Sequence, residues 1–208
     1  MQKLIVILAL LFCYESNSQT PDSTNADAED EIEPYDYDTV LKGGYTILFK
    51  ADDTLLYLFL KKENKIITDL SSCSRGLLYK NLGYVIADFK DYFVLAHSFG
   101  SGNPHYIELI KKVNGKNILH ESAAWIDAIE EKEMLLYCEE DVPTAKDKMT
   151  LLNIKTGQKQ YFNFPPDIFG EPQVLNRIRI EKLTEQELVL KYETEKGEKK
   201  KNYRLYQK

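Results

Sequence analysis

Four times along this chain a short charged turn is followed at once by a dense apolar run, and that rhythm limits the fold more than any other feature. The runs are Leu55-Leu56-Tyr57-Leu58-Phe59-Leu60, Tyr92-Phe93-Val94-Leu95-Ala96-His97, Met134-Leu135-Leu136-Tyr137-Cys138 and Leu188-Val189-Leu190-Lys191-Tyr192. The turns ahead of them are Asp52-Asp53-Thr54, Lys90-Asp91, Glu130-Glu131-Lys132-Glu133 and Thr184-Glu185-Gln186-Glu187. Each run has the length of a strand and is rich in residue types that favour extended backbone. Their starts lie 37, 42 and 54 residues apart, the spacing of stacked sheet units of about four strands each. Neither an Ala-rich stretch nor a heptad pattern competes with this reading, which excludes a helical bundle or coiled coil.

The second and third units show the rest of the pattern. After His97 come a loop, the run Tyr106-Ile107-Glu108-Leu109-Ile110, an Asn114-Gly115 pair and Asn117-Ile118-Leu119. Asn-Gly between apolar runs predicts a two-residue hairpin, because both residues tolerate positive φ. After Cys138 come a loop, Met149-Thr150-Leu151-Leu152-Asn153-Ile154, the turn Lys155-Thr156-Gly157-Gln158 and Gln160-Tyr161-Phe162. That last stretch resembles the outer hairpin of a β-propeller blade. The resemblance implies an all-β fold, an antiparallel meander of about four hairpin or blade-like units in a small propeller, and no activity. A curled β-sandwich or barrel carries the same signature. The first unit reads as one strand short, and residues 35–40 could fill a closing position. Helix is expected only as short turns near Asp167 or Val174.

Three segments are predicted. Residues 1–18 read as a signal peptide: Lys3 gives a positive start, and residues 4–12 form an unbroken apolar run. Nine helical residues reach about 14 Å, half of a bilayer's roughly 30 Å core, so the run is too short to span. Ser16 and Ser18 supply small residues before a cleavage at Gln19. Leu10-Leu11-Phe12-Cys13 also resembles a bacterial lipoprotein box, in which Cys13 would be lipidated, although the bulky Phe12 departs from the small residue wanted there. Residues 19–37 read as a disordered acidic tether and residues 38–208 as a single β-rich domain. Eight acids and no base lie between Gln19 and Asp38, so the net charge of −6 describes the tether and leaves residues 39–208 at +2. No basic face for nucleic acid is indicated. An EF-hand reading of the tether fails for want of the glycine at its sixth position.

Candidate chemistry is sparse. Cys73 and Cys138 could pair in an oxidising compartment, closing a loop of about 65 residues, or remain two separate thiols. His97 and His105 flank the conspicuous loop Ser98-Phe99-Gly100-Ser101-Gly102-Asn103-Pro104, which makes His97, Ser101, Asn103 and His105 the candidate binding residues. Their spacing matches no zinc signature, and neither a nucleophile elbow nor a phosphate loop is present, so no metal or cofactor is predicted. Trp125 could stack on a sugar, but its apolar neighbours place it in the core. The run 196–201 is a basic hairpin turn that could touch acidic lipid or polysaccharide, but it reads first as solvated lysines that blunt a terminal hairpin. The function expected is a non-catalytic binding module of the periplasm or cell surface, recognising a protein or a glycan. An extracytoplasmic hydrolase built on carboxylates or the His97–His105 loop is the alternative; convergence of those groups in one pocket would favour it.

Overall fold

The computed structural model describes residues 38–75, 79–99, 105–121, 123–140, 142–170 and 173–206. The expected signal peptide, tether and Cys13 lie outside the described residues, as do Ser101 and Asn103. The domain is all-β: three antiparallel sheets, none closed into a barrel. The first sheet is a meander of β1 (Thr39–Leu41), β2 (Tyr45–Ala51), β3 (Leu55–Lys62) and β4 (Lys65–Ser74). A single helical turn, Tyr79–Leu82, leads to the middle sheet. Its strands are β5 (Tyr84–Asp88), β6 (Tyr92–His97), β7 (Tyr106–Lys111), β8 (Lys116–Asn117), β9 (Ala124–Ile129), β10 (Met134–Cys138), β11 (Lys148–Asn153) and β12 (Lys159–Asn163). The last sheet holds β13 (Ile178–Leu183), β14 (Glu187–Thr194) and β15 (Gly197–Arg204). The 3-10 turns Ile168–Gly170 and Val174–Arg177 fall where short helix was predicted.

All four apolar runs are strands: β3, β6, β10 and most of β14. Their side chains build three separate cores that hold four layers together. Ile47, Leu56, Leu58 and Leu60 of the first sheet meet Phe93, Leu95 and Ile110. The opposite faces of those middle-sheet strands carry Val94, Ala96, Ile107 and Leu109, which meet Leu135, Tyr137 and Leu152 from the sheet's own second half. The middle sheet is therefore bent upon itself at the join of β7 and β9, where Tyr106 faces Ala124. Leu136, Cys138, Met149 and Leu151 then meet Ile178, Leu188, Leu190 and Tyr192 of the last sheet. Strands β6 and β10 are buried on both faces, so neither face of the run can be polar.

The two end sheets differ in what they show to solvent. The register puts Leu48 opposite Phe59 and Lys50 opposite Tyr57 on the uncovered face of the first sheet, where Tyr57 and Phe59 stack. Val40 and Ile66 are exposed at 78% and 43%. The outer face of the last sheet carries Glu187, Lys191, Glu193 and Lys200, with ion pairs from Lys191 to Glu198 and from Lys200 to Glu181.

Three expectations are corrected. Residues Thr39–Leu41 pair with Tyr45–Ile47 inside the first sheet, so that unit has four strands and the last sheet has three among the described residues. The Asn114-Gly115 hairpin exists, but its ladder closes at Lys111 and Lys116, leaving a four-residue connection in which Gly115 alone has positive φ. Gly115 is required twice over, because its φ is +67° and a Cβ there would collide with the Thr68 side chain. The strand expected over residues 117–119 is reduced to Lys116–Asn117.

The longer turn follows from Lys112, which is 1% exposed. Its Nζ donates to Phe89 O at 2.7 Å, Lys42 O at 2.9 Å and Lys90 O at 3.3 Å, and lies 2.7 Å from Asp88 Oδ1. Asp88 Oδ2 accepts the Lys42 N–H at 2.7 Å. One ammonium thus gathers the β1–β2 turn of the first sheet and the β5–β6 turn of the middle sheet. Removing one partner from such a buried pair costs about 3–5 kcal/mol, since the remaining polar groups lose their counterpart without regaining water. Lys112→Met should lower the urea unfolding free energy by about 3 kcal/mol or more; a loss under about 1 kcal/mol would show that the cage is not structural.

Candidate functional site

The two histidines that flank the loop lie apart among the described residues. His97 pairs with Tyr106 across the β6–β7 ladder, and its ring lies on the face of the middle sheet that meets the first sheet. There Nε2 lies 3.0 Å from Glu108 Oε1 and Nδ1 lies 3.0 Å from the Asn81 carbonyl oxygen. A carbonyl can only accept, so Nδ1 carries a hydrogen, and the carboxylate favours a second one on Nε2. Burial opposes the charge, but the Glu108 hydrogen bond and the Asn81 carbonyl outweigh it and raise the His97 pKa. His105 instead meets the Tyr84 hydroxyl, and Tyr84 packs on the opposite face of the sheet, in the core between its two halves. The two rings therefore lie on opposite faces of the sheet. Among the described residues no group of three or more His, Cys, Asp or Glu is placed to hold a metal.

The other candidates are equally quiet. Cys73 is half-buried against the core between the first and middle sheets, and Cys138 is buried in the core between the middle and last sheets. Both are free thiols in different cores. Burial pushes the Cys138 thiol up to about 11, which suppresses its thiolate. Trp125 packs against the middle core. Turn carboxylates serve their own turns: Asp52 accepts the N–H groups of Thr54 and Leu55 and the Tyr57 hydroxyl, which holds it well below the usual carboxylate range. Asp147 accepts the N–H and hydroxyl of Thr144 in the same manner.

A site that the sequence did not suggest lies along the seam between the middle and last sheets. The edge strands β12 and β15 border a groove of about 820 Å³. Its floor is Phe162 and Phe164, both buried, with Tyr203 packed edge-on against Phe162 at 5.2 Å. Tyr161 and Tyr206 also line it and are exposed at 56% and 70%. Four cations, Lys148, Lys159, Lys201 and Arg204, are in the lining, and no carboxylate is. Lys159 is tied to Glu139 at 3.1 Å and lies over the Tyr137 ring, and these contacts raise its pKa. Among the described residues no ion pair joins Lys148, Lys201 or Arg204 to a carboxylate, although Glu187 stands across the ladder from Arg204. Their neighbours in the last sheet are paired: Lys199 is held by Asp167 and Lys200 by Glu181. The groove continues into a second recess of about 590 Å³ that shares Gln158, Gln160 and Tyr206 and reaches Met134, Leu151 and Leu183.

Cations beside exposed aromatic rings and side-chain amides bring charge, flat apolar area and hydrogen-bonding groups to one place.

The His97 pKa is raised, so the protonated ring adds stability that is fully present below about pH 6.5 and is lost as pH rises through the raised value. His97→Gln should therefore unfold at lower urea than the wild type at pH 5.5, with the gap narrowing steadily by pH 8.5. A gap independent of pH would mean that the imidazolium–Glu108 pair contributes nothing. No family model, no curated protein and no solved structure matches this chain.

Proposed function

We propose that this chain is an exported, non-catalytic binding module of the bacterial periplasm or cell surface that takes a protein or glycan ligand in the groove between its middle and last sheets. The observation that carries the reading is the groove lining, in which four cations and two exposed tyrosines stand with no carboxylate among them. Three neighbouring lysines of the last sheet, Lys191, Lys199 and Lys200, are each held by an acid, whereas Lys148, Lys201 and Arg204 make no ion pair among the described residues. The hydrolase alternative loses its main support in the separation of His97 from His105 by the sheet.

A propeller-like arrangement of four units suits this role. Successive units share a core, and their first hairpin turns draw together: Lys42 reaches Asp88 and Glu130, and the Lys132 ammonium reaches the Leu183 carbonyl. Ligand grooves between such units lie on rigid strands, which fixes the polar groups before the ligand arrives.

Binding should be read on arrays of glycans and peptides. The mature protein is expected to retain its ligand when His97→Gln and His105→Gln are introduced, and to lose it when Lys148→Glu and Arg204→Glu are. The reverse order, or turnover of a glycoside or ester that depends on His97, would replace this reading with the enzyme. For export, the intact mass of the protein recovered from its native envelope should correspond to a chain starting at Gln19. A mass starting at an acylated Cys13 would instead place the same module on a membrane anchor.

A further inference from the structure

We infer that the groove between the middle and last sheets binds an acidic polysaccharide, a linear chain of uronate sugars. The inference rests on the binding-module reading and narrows its ligand to one chemical class.

Shape comes first. The two recesses join through Gln158, Gln160 and Tyr206, so the depression is elongated and open along its length, as a polymer threaded past the site requires. Charge comes next. Lys148, Lys201 and Arg204 make no ion pair among the described residues, and the first recess is lined by no acid; the second holds one, Glu185, together with Lys132. A chain with one carboxylate per sugar offers negative charge at regular intervals, which these cations can meet at several points. Repeated weak contacts along one polymer add up without any deep pocket.

Charge alone would not separate a sugar acid from an acidic peptide; the remaining groups do. Tyr161 and Tyr206 both line the groove and are largely exposed, Tyr161 on the side of β12 opposite Phe162, and the C–H face of a pyranose ring stacks on an exposed tyrosine while its hydroxyls stay wet. Gln158, Asn163 and Asn202 bring side-chain amides, each a donor and an acceptor, to the same lining. That is the pairing that vicinal hydroxyls need. A peptide strand, by contrast, would add to the free edge of β12 or β15 through backbone hydrogen bonds. One edge carbonyl and one side-chain amide at that seam are already taken. The Tyr203 hydroxyl donates to Asn163 O at 2.8 Å, and the Tyr206 N–H donates to Gln160 Oε1 at 3.1 Å.

The test uses the mature protein with polygalacturonate, its fully methyl-esterified form and poly-L-glutamate, followed by calorimetry at low and high salt. Polygalacturonate should bind and weaken as salt rises, while the neutral ester should not bind. Tyr161→Ala and Tyr206→Ala should each weaken binding by about three- to tenfold with an unchanged melting temperature, and Lys201→Gln should reduce the salt dependence. Equal binding of poly-L-glutamate, indifferent to both tyrosine variants, would overturn the sugar inference and leave a groove that reads charge only. If neither polyanion binds, yet Lys148→Glu and Arg204→Glu abolish a ligand found on the arrays, the uronate inference falls and the module stands. If those two substitutions abolish nothing, both fall.

Discussion

A strand buried on both faces has no polar side to offer water, and it must find a partner for every backbone group within its own sheet. Strands β6, β7, β10 and β11 are held to that rule, and the rest of the domain is arranged to meet it. Bending the middle sheet upon itself covers one side of each. The first and last sheets cover the other sides, one apiece. Four layers and three cores are thus the direct outcome of four doubly buried strands. The Lys112 ammonium completes the arrangement at the turn end, where no apolar contact could satisfy three inward-facing carbonyls at once.

Much of this was legible in the apolar rhythm. The runs beginning at 55, 92, 134 and 188 are the strands β3, β6, β10 and β14, and the turns before them are turns. Less legible was how each run would be covered. Leu55-Leu56-Tyr57-Leu58-Phe59-Leu60 reads like β6, yet its burial alternates residue by residue because only Leu56, Leu58 and Leu60 face a neighbour. Hydrophobicity along a strand records what could be buried, and the layers on either side decide what is. Lys112 was invisible for a related reason. A lysine between Lys111 and Val113 ahead of Asn-Gly reads as a solvated turn residue, and nothing local announces that carbonyls from residues 42, 89 and 90 will surround it.

The sequence draws attention to one place and passes over most of another. The loop between His97 and His105 drew notice because its composition is unusual, but strand alternation sends the two rings to opposite sides of the sheet. The groove drew little, because Gln160, Tyr161 and Tyr206 are ordinary edge-strand or terminal residues, Lys148 merely opens β11, and Lys201 closes a run that reads as solvated. Its meaning lies in subtraction. Acids are frequent throughout the domain, and they neutralise Lys191, Lys199 and Lys200, while the adjoining cleft has none. A pattern defined by what is missing from a place cannot be read before the place exists.

The unequal ends of the layered stack carry a consequence for crowding. One pole bears stacked aromatic rings and aliphatic side chains; the other bears interleaved opposite charges. Fibre growth by end-on addition needs two complementary poles, so that each newcomer leaves a fresh docking surface behind it. Here the poles do not match: the first sheet's outer face offers rings and aliphatic side chains beside Lys50, the last sheet's offers interleaved charges, and end-on stacking of one upon the other gains no complementary surface.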